Sequence, residues 1–229
     1  MEYLFNSLIS ALALIFTLDA SVIEVVWTSV WISVVAVTMA SCFSVPLGIL
    51  VALNQFKGKD LLLQCLNTLV ALPTVVVGLL LYGILSRQGP AGELGLLYTP
   101  IAMIIGQTIL IIPVIWSLSI SAANGADPRL LHTCQSLGAT RMQQGLLFVS
   151  EVRFAILAAV VMGFGRAIGE VGIAMMLGGN IAGFTRTMTT AIALETSKGE
   201  FEFALSLGIV LLAVAFVLNG LLQKFQRRR

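Results

Sequence analysis

Arg166 and Glu170 stand four residues apart inside an otherwise apolar stretch. That spacing puts both on one helix face, where they can form an ion pair. A charge held in a bilayer is expensive and marks a functional site by default. An intrahelical pair could equally pin its helix to its neighbours, so both roles stay open. For an anionic solute, Arg166 is the only basic side chain placed to meet it inside the apolar stretches. The second concentration of chemistry is residues 124–153, which carry Asp127, Arg129, His132, Gln135, Arg141, Gln143, Gln144, Glu151 and Arg153. Catalysis is poorly provided for. His132 is the single histidine, and no nucleophile–base pair is recognisable. Cys42, Cys65 and Cys134 are scattered without metal or redox spacing and read as small apolar fillers. No metal site is expected. No G-x-x-x-x-G-K-[ST] phosphate loop occurs, so the chain should not hydrolyse ATP by itself.

The elements that position these residues are membrane elements. Of 229 residues, 58% are hydrophobic and 10% charged, and mean hydropathy is +1.00. A soluble domain could not hide that much apolar surface. A spanning helix needs roughly 20 mostly apolar residues. Five stretches qualify, at about residues 25–53, 61–85, 100–123, 154–177 and 204–222. The expected fold is all-α and polytopic, with about five transmembrane helices.

Lys and Arg accumulate on cytoplasmic loops. With five crossings, Lys57, Lys59, Arg129, Arg141, Arg153, Lys224, Arg227, Arg228 and Arg229 fall on one side, against Arg87, Arg186 and Lys198 on the other. Nine against three predicts the N-terminus outside, the C-terminus in the cytoplasm and residues 124–153 cytoplasmic. Residues 1–18 are apolar but short, with no basic residue before Lys57, which argues against a secretory signal. Phe5, Leu8, Ile9, Leu12 and Phe16 recur at helical spacing and predict a helix lying in the outer interface. A sixth span is the alternative.

Gly and Pro mark expected irregularities: Pro46 and Gly48, then Leu72-Pro73 and Gly78, then Gly106 and Pro113. Pro73 is the best candidate for a functional kink. It precedes Thr74 and the smooth run Val75-Val76-Val77, which suits a narrow apolar constriction. Gly165 and Gly169 form a GxxxG pair that would let helices approach closely. Residues 86–99 read as a turn-rich outer loop, and residues 178–203 as a longer one with a short helix around Ala191-Ile192-Ala193-Leu194 that caps the pathway or dips back into the membrane.

In the polar segment, Asp127-Pro128 is a good helix start. Leu137-Gly138-Ala139 makes a turn, Thr140 is the next cap, and residues 141–149 read as a second short helix leading into the membrane. The resulting knob presents Leu130, Leu131, Leu137, Leu146 and Leu147 beside charges, which suits docking to another subunit better than a bare solvated loop.

Helix, Leu-Gly-Ala, helix and then a span resembles the cytoplasmic loop of ABC importer permeases of the binding-protein-dependent type. That loop usually begins Glu-Ala-Ala, where this chain has His132, Thr133 and Cys134, and the usual Leu-Pro after the second helix is replaced by Ser150-Glu151. A second stretch is more specific. Gly163-Phe164-Gly165-Arg166-Ala167-Ile168-Gly169-Glu170-Val171-Gly172, Met175-Met176, Gly178-Gly179-Asn180-Ile181 and the run from Thr185 to Gly199 resemble the oxyanion permeases of that family, the tungstate group more than molybdate or sulfate. Ala71-Leu72-Pro73 and Val75-Val76-Val77-Gly78 fit as well.

The resemblance runs from about Val25 to the C-terminus. It implies a transmembrane domain over residues 25–229, after an N-terminal segment over 1–24. It further implies a multi-pass subunit of a bacterial or archaeal cell (inner) membrane that forms a homodimer with the pathway on its two-fold axis. Two cytosolic ATPase subunits, carrying ATP and Mg, would hold the knob through Asp127, Arg129, His132, Leu137, Gly138, Ala139 and Arg141. An extracytoplasmic oxyanion-binding protein would deliver the solute and set its selectivity. Pro73, Thr74, Val75, Val76, Arg166, Glu170 and Asn180 are the expected pathway or gate residues. This subunit needs no cofactor and no nucleic acid; lipid surrounds it.

Competing classes stay in view. A secondary transporter would show internal repeats and paired broken helices, and no convincing repeat is present. A membrane scaffold explains the spans but not the knob.

Overall fold

The computed structural model describes residues 20–127, 133–134 and 136–227, together with Ile9, Leu12, Ala13 and Arg129; at Arg141, 218–219, 221–223 and 225–227 it describes the backbone alone. Apart from Ile9, Leu12 and Ala13, the expected interfacial helix at the N-terminus lies outside the described residues, as does His132. All regular structure among the described residues is helical: α1 (Ala20–Leu53), α2 (Lys59–Val70), α3 (Thr74–Leu85), a 3₁₀ turn (Gly92–Leu94), α4 (Pro100–Asn124), α5 (Arg141–Ile168), α6 (Gly172–Gly178), α7 (Met188–Lys198) and α8 (Phe201–Arg227).

Among the described residues, α1, α4 and residues 142–168 of α5 are long and apolar enough to cross a bilayer. The predicted span over 61–85 is instead two helices, α2 and α3, set at 92° to one another. Pro73 stands at the N-cap of α3 with extended backbone, so the bend is where the missing proline N–H places it. The predicted span over 154–177 is also redrawn. The second knob helix and the span are one 28-residue helix, α5. Ser150-Glu151-Val152-Arg153 holds neither Gly nor Pro, so nothing ends the helix there. It stops at Ile168, with Gly169 as C-cap. Pro46 and Pro113 do not break α1 or α4, which run through them.

α4 is the central helix. Its Met103, Ile104, Ile111 and Ile115 form one core cluster with Ile32, Ala36 and Val37 of α1, Ala167 of α5 and Ala174 of α6. Polar bonds also bridge α4 to its neighbours: Ser44 Oγ donates to the Ile112 carbonyl (3.1 Å), Thr108 Oγ1 to that of Ala36 (3.4 Å), and Ser117 Oγ to Asn67 Oδ1 of α2 (3.2 Å). Close approach depends on small residues, as helix packing in membranes generally does. A Cβ on Gly48 would stand 2.6 Å from Ser119 Cβ, and one on Gly106 would stand 2.6 Å from Ile173 Cγ2. The expected GxxxG pair makes no such contact within this chain, since Gly165 has open space where a Cβ would project. Gly163 is the packed glycine, against Ile111 and Ile115.

Candidate functional site

α3 and α6 lie side by side and run in the same direction. At one end, the Cβ position of Gly172 is 3.2 Å from Thr74 Oγ1 and 3.3 Å from Val75 Cγ2. In the middle, Gly78 faces Met176 and Ile173. At the other end, the Tyr98 N–H donates to the Leu177 carbonyl (2.8 Å), and the Tyr98 ring lies over Gly179. Val75, Leu79 and Tyr82 follow one stripe of α3 and are exposed, as is the adjacent pair Val76 and Leu80. This chain leaves an apolar face uncovered along the whole of α3.

The break between α5 and α6 is a polar junction. Glu170 is buried at 6% exposure, and its Oε1 accepts the Ile173 N–H at 3.2 Å. Its carbonyl accepts Thr189 Oγ1 at 2.8 Å. The start of α7 is closed by a capping box between Thr187 and Thr190, and Ser29 Oγ of α1 accepts the Met188 N–H at 2.6 Å. Nearby, Thr185 Oγ1 donates to the Gly178 carbonyl (2.5 Å) and accepts the Ile181 N–H (3.0 Å). These hydroxyls satisfy the backbone groups that two short helices leave open, which burial makes obligatory.

Arg166 and Glu170 do not pair. The helix ends between them, so the four-residue spacing no longer puts them on one face. Glu170 turns inward to α6, while Arg166 is exposed with no ion-pair partner among the described residues. The structure thus brings Thr74, Val75 and Glu170 together around Gly172 but leaves Arg166 apart. Asn180 takes left-handed backbone (φ 52°), its carbonyl accepts from Arg186 (3.4 Å), and its side-chain oxygen is buried without a partner among the described residues.

Two cavities open beyond this junction. One, of about 620 Å³, is lined by Leu79, Met175, Met176 and Ile181 with Tyr82 and Tyr98. The other, of about 630 Å³, is lined by the same two tyrosines with Ser86, Arg87, Gln88 and Leu97 among others. The tyrosine rings meet edge to face at 6.5 Å, with their hydroxyls 3.4 Å apart. The Tyr98 hydroxyl is pushed above the ordinary phenol range, first by its hydrogen bond to Tyr82 and then by burial, so it stays protonated at neutral pH. Sequence reasoning passed over both tyrosines. The signal available was Tyr98 beside Thr99-Pro100, an N-cap followed by proline.

The polar segment sits at the far end of α4, about 37 Å from Pro100 at 1.5 Å per residue. Asp127 Oδ1 accepts the Arg129 N–H (2.9 Å), and the Ala139 N–H donates to the Cys134 carbonyl (3.0 Å) around Gly138 at φ 72°. That is a Schellman helix end with glycine at its left-handed position. Thr140 and Gln143 then form the capping box of α5. Leu137, Met142 and Leu146 are exposed at 81%, 77% and 62%. The side chain of Arg141 lies outside the described residues.

Residues 44–229 match the family described as "Binding-protein-dependent transport system inner membrane component". This chain belongs to that family. It is a membrane protein of transport permease type. The tungstate uptake system permease protein TupB of Peptoclostridium acidaminophilum is 38% identical over 226 residues, 99% of each chain. The same-named protein of Campylobacter jejuni is 38% identical over 227 residues, covering 99% of this chain and 95% of the relative. The molybdenum transport system permease protein ModB of Escherichia coli is 27% identical over 89% of this chain and 96% of the relative. Among solved structures, an inward-facing MetNI methionine ABC transporter superposes with TM-score 0.74 at 14% identity, over 93% of this chain and 97% of the other. At that identity the likeness speaks for the fold alone. The all-helical permease architecture expected from the sequence is therefore borne out.

Proposed function

We propose that this chain is the membrane-spanning subunit of an ATP-driven importer that takes an oxyanion, tungstate first, from an extracytoplasmic binding protein into the cell. The observation that carries the reading is 38% identity, end to end, to two tungstate uptake permeases. Sulfate and molybdenum permeases at 27–31% mark the neighbouring substrates, which form the second reading.

In this reading the Gly138 turn and the exposed Leu137, Met142 and Leu146 dock into a cytosolic ATPase, which holds ATP and Mg. Asp127, Arg129, His132, Ala139 and Arg141 complete that contact. The knob faces the cytoplasm, and the tyrosine cavities at the opposite end of α4 face outward. Two copies pair across the uncovered faces of α3, placing Pro73, Thr74, Val75 and Val76 beside the two-fold axis. ATP binding biases a two-state switch between inward and outward access. The rigid break at Glu170 and the 92° bend at Pro73 supply elements that can rock as bodies.

The test is uptake of labelled tungstate into proteoliposomes holding this chain, its ATPase and its binding protein. ATP-dependent uptake that resists excess molybdate and sulfate supports the tungstate reading. Suppression by either competitor broadens the substrate to oxyanions. Absence of ATP dependence in an assembled complex overturns the importer reading.

A further inference from the structure

The cavity of about 630 Å³ beside residues 86–98 is built differently from the rest of the uncovered surface. Arg87 lines it, is exposed, and has no ion pair or hydrogen bond among the described residues. Glu93 is the acidic side chain nearest in sequence, and it neither lines the cavity nor pairs with Arg87. The donors can be counted. Ser86 Oγ already gives its proton to the Gly83 carbonyl (3.1 Å). The Tyr82–Tyr98 contact uses one of two hydroxyl protons and leaves the other free. Arg87 adds a guanidinium and Gln88 a side-chain amide. A cation, a free phenolic proton and an amide facing one space match a compact acceptor-only dianion, because charge-assisted bonds to oxyanions are the strong ones.

The cavity on the other side of the tyrosines offers the opposite chemistry. Leu79, Met175, Met176 and Ile181 present thioether and hydrocarbon to it. An anion moving from the first cavity to the second gives up its donors at the tyrosine pair. The pair is fixed for that role. Tyr98 holds left-handed backbone (φ 65°), unusual for a residue other than glycine, and its N–H is tied to Leu177 of α6. Any displacement of α6 relative to α3 therefore moves one hydroxyl against the other.

We propose that the Arg87 cavity is a holding site for a tetrahedral oxyanion in the permease itself, and that the Tyr82–Tyr98 pair is the threshold the anion crosses on leaving it. This rests on the oxyanion reading above and adds to it a site outside the binding protein. Affinity should be modest, since the cavity is open and its cation is solvated.

The experiment measures retention of labelled tungstate by the permease–ATPase complex in lipid nanodiscs, with no binding protein present, and then uptake by the reconstituted full system. The wild-type complex should retain tungstate, and excess molybdate or sulfate should displace it. Arg87→Gln should weaken retention roughly tenfold or more, the scale of a lost charged hydrogen bond. Arg87→Lys should restore most of it. Tyr98→Phe and Tyr82→Phe should keep assembly and ATPase activity while raising the tungstate concentration needed for half-maximal uptake. If uptake works but the wild-type complex retains no tungstate, or if Arg87→Gln retains it like wild type, the holding site is wrong and the importer reading stands. If an assembled system takes up no oxyanion at all, both fall together.

Discussion

Thr189 Oγ1 donates to the backbone carbonyl of Glu170 at 2.8 Å, and this one bond ties the start of α7 to the break between α5 and α6. Both residues are buried, Thr189 and Glu170 at 6% each. The carbonyl has left its helix, so it depends on this donor. Thr189→Val keeps the shape and removes the proton. It should lower stability by about 1–3 kcal/mol, the range for an orphaned buried polar group. Thermal unfolding of the nanodisc complex would read this as a clear fall in midpoint, with Thr189→Ser close to wild type. An unchanged midpoint for the valine variant would mean that water or a neighbouring chain already serves the carbonyl.

Glu170 and Arg166 should act independently. Glu170 stands beyond the end of α5 and holds the Ile173 N–H, while Arg166 is exposed in the last turn of that helix. A double-mutant cycle with Arg166→Ala and Glu170→Gln should give a coupling below about 0.5 kcal/mol in unfolding experiments. Arg166→Ala alone should leave the folding midpoint in place and reduce uptake, because its guanidinium is free for solute or a second copy. A coupling well above that bound would restore the ion pair. Glu170→Gln keeps an acceptor for Ile173 and should stay closer to wild type than Glu170→Ala.

What the sequence made legible follows from what kind of signal each feature leaves. Apolar length announced α1 and α4, and Asp127, Gly138 and Thr140 announced the knob because caps and left-handed turns are local chemistry. Pro73 announced a bend that is there, since its missing N–H acts on its own neighbours. Pro46 and Pro113 sent the same signal and misled, because long helices packed along each other hold their course through a single proline. The boundary of α5 was misplaced by a dozen residues at its start because hydropathy marks bilayer depth, whereas helix continuity depends on the absence of breakers over 149–154. The Arg166–Glu170 pairing failed for a related reason: helical spacing is meaningful only if the helix continues, and Gly169 ends it. Tyr82 and Tyr98 meet across sixteen residues through a loop, which no periodicity encodes.

Gly138→Val should uncouple ATP hydrolysis from uptake. The backbone there sits at φ 72°, and a β-branched residue in that region costs on the order of 1–2 kcal/mol. No side chain lies within 4 Å of the Cβ position, so the effect is conformational and not a clash. The expected outcome is an assembled complex whose ATPase rate survives and whose uptake per ATP falls. Gly138→Asn, which tolerates left-handed backbone, should retain most coupling. Equal coupling in the valine variant would remove the turn from the docking contact.

The packing of α6 on α4 should be the least forgiving contact near the site. A Cβ on Gly106 would lie 2.6 Å from Ile173 Cγ2 and 2.7 Å from Leu177 Cδ1, closer than real Cβ atoms come. Both side chains are fully buried and cannot swing away. Gly106→Ala should therefore push α6 outward and destabilise by about 1–3 kcal/mol. The displacement would pass directly to Gly172 beside Thr74 and to the Leu177 carbonyl that holds Tyr98. Uptake should fall further than stability alone requires. Gly165→Ala is the control: its Cβ meets open space within the chain, and in a helix interior alanine is favoured over glycine by up to about 1 kcal/mol. Unfolding midpoints that fall equally for Gly106→Ala and Gly165→Ala would show that a second chain packs on Gly165, and that the small-residue contact lies between copies as well as within one.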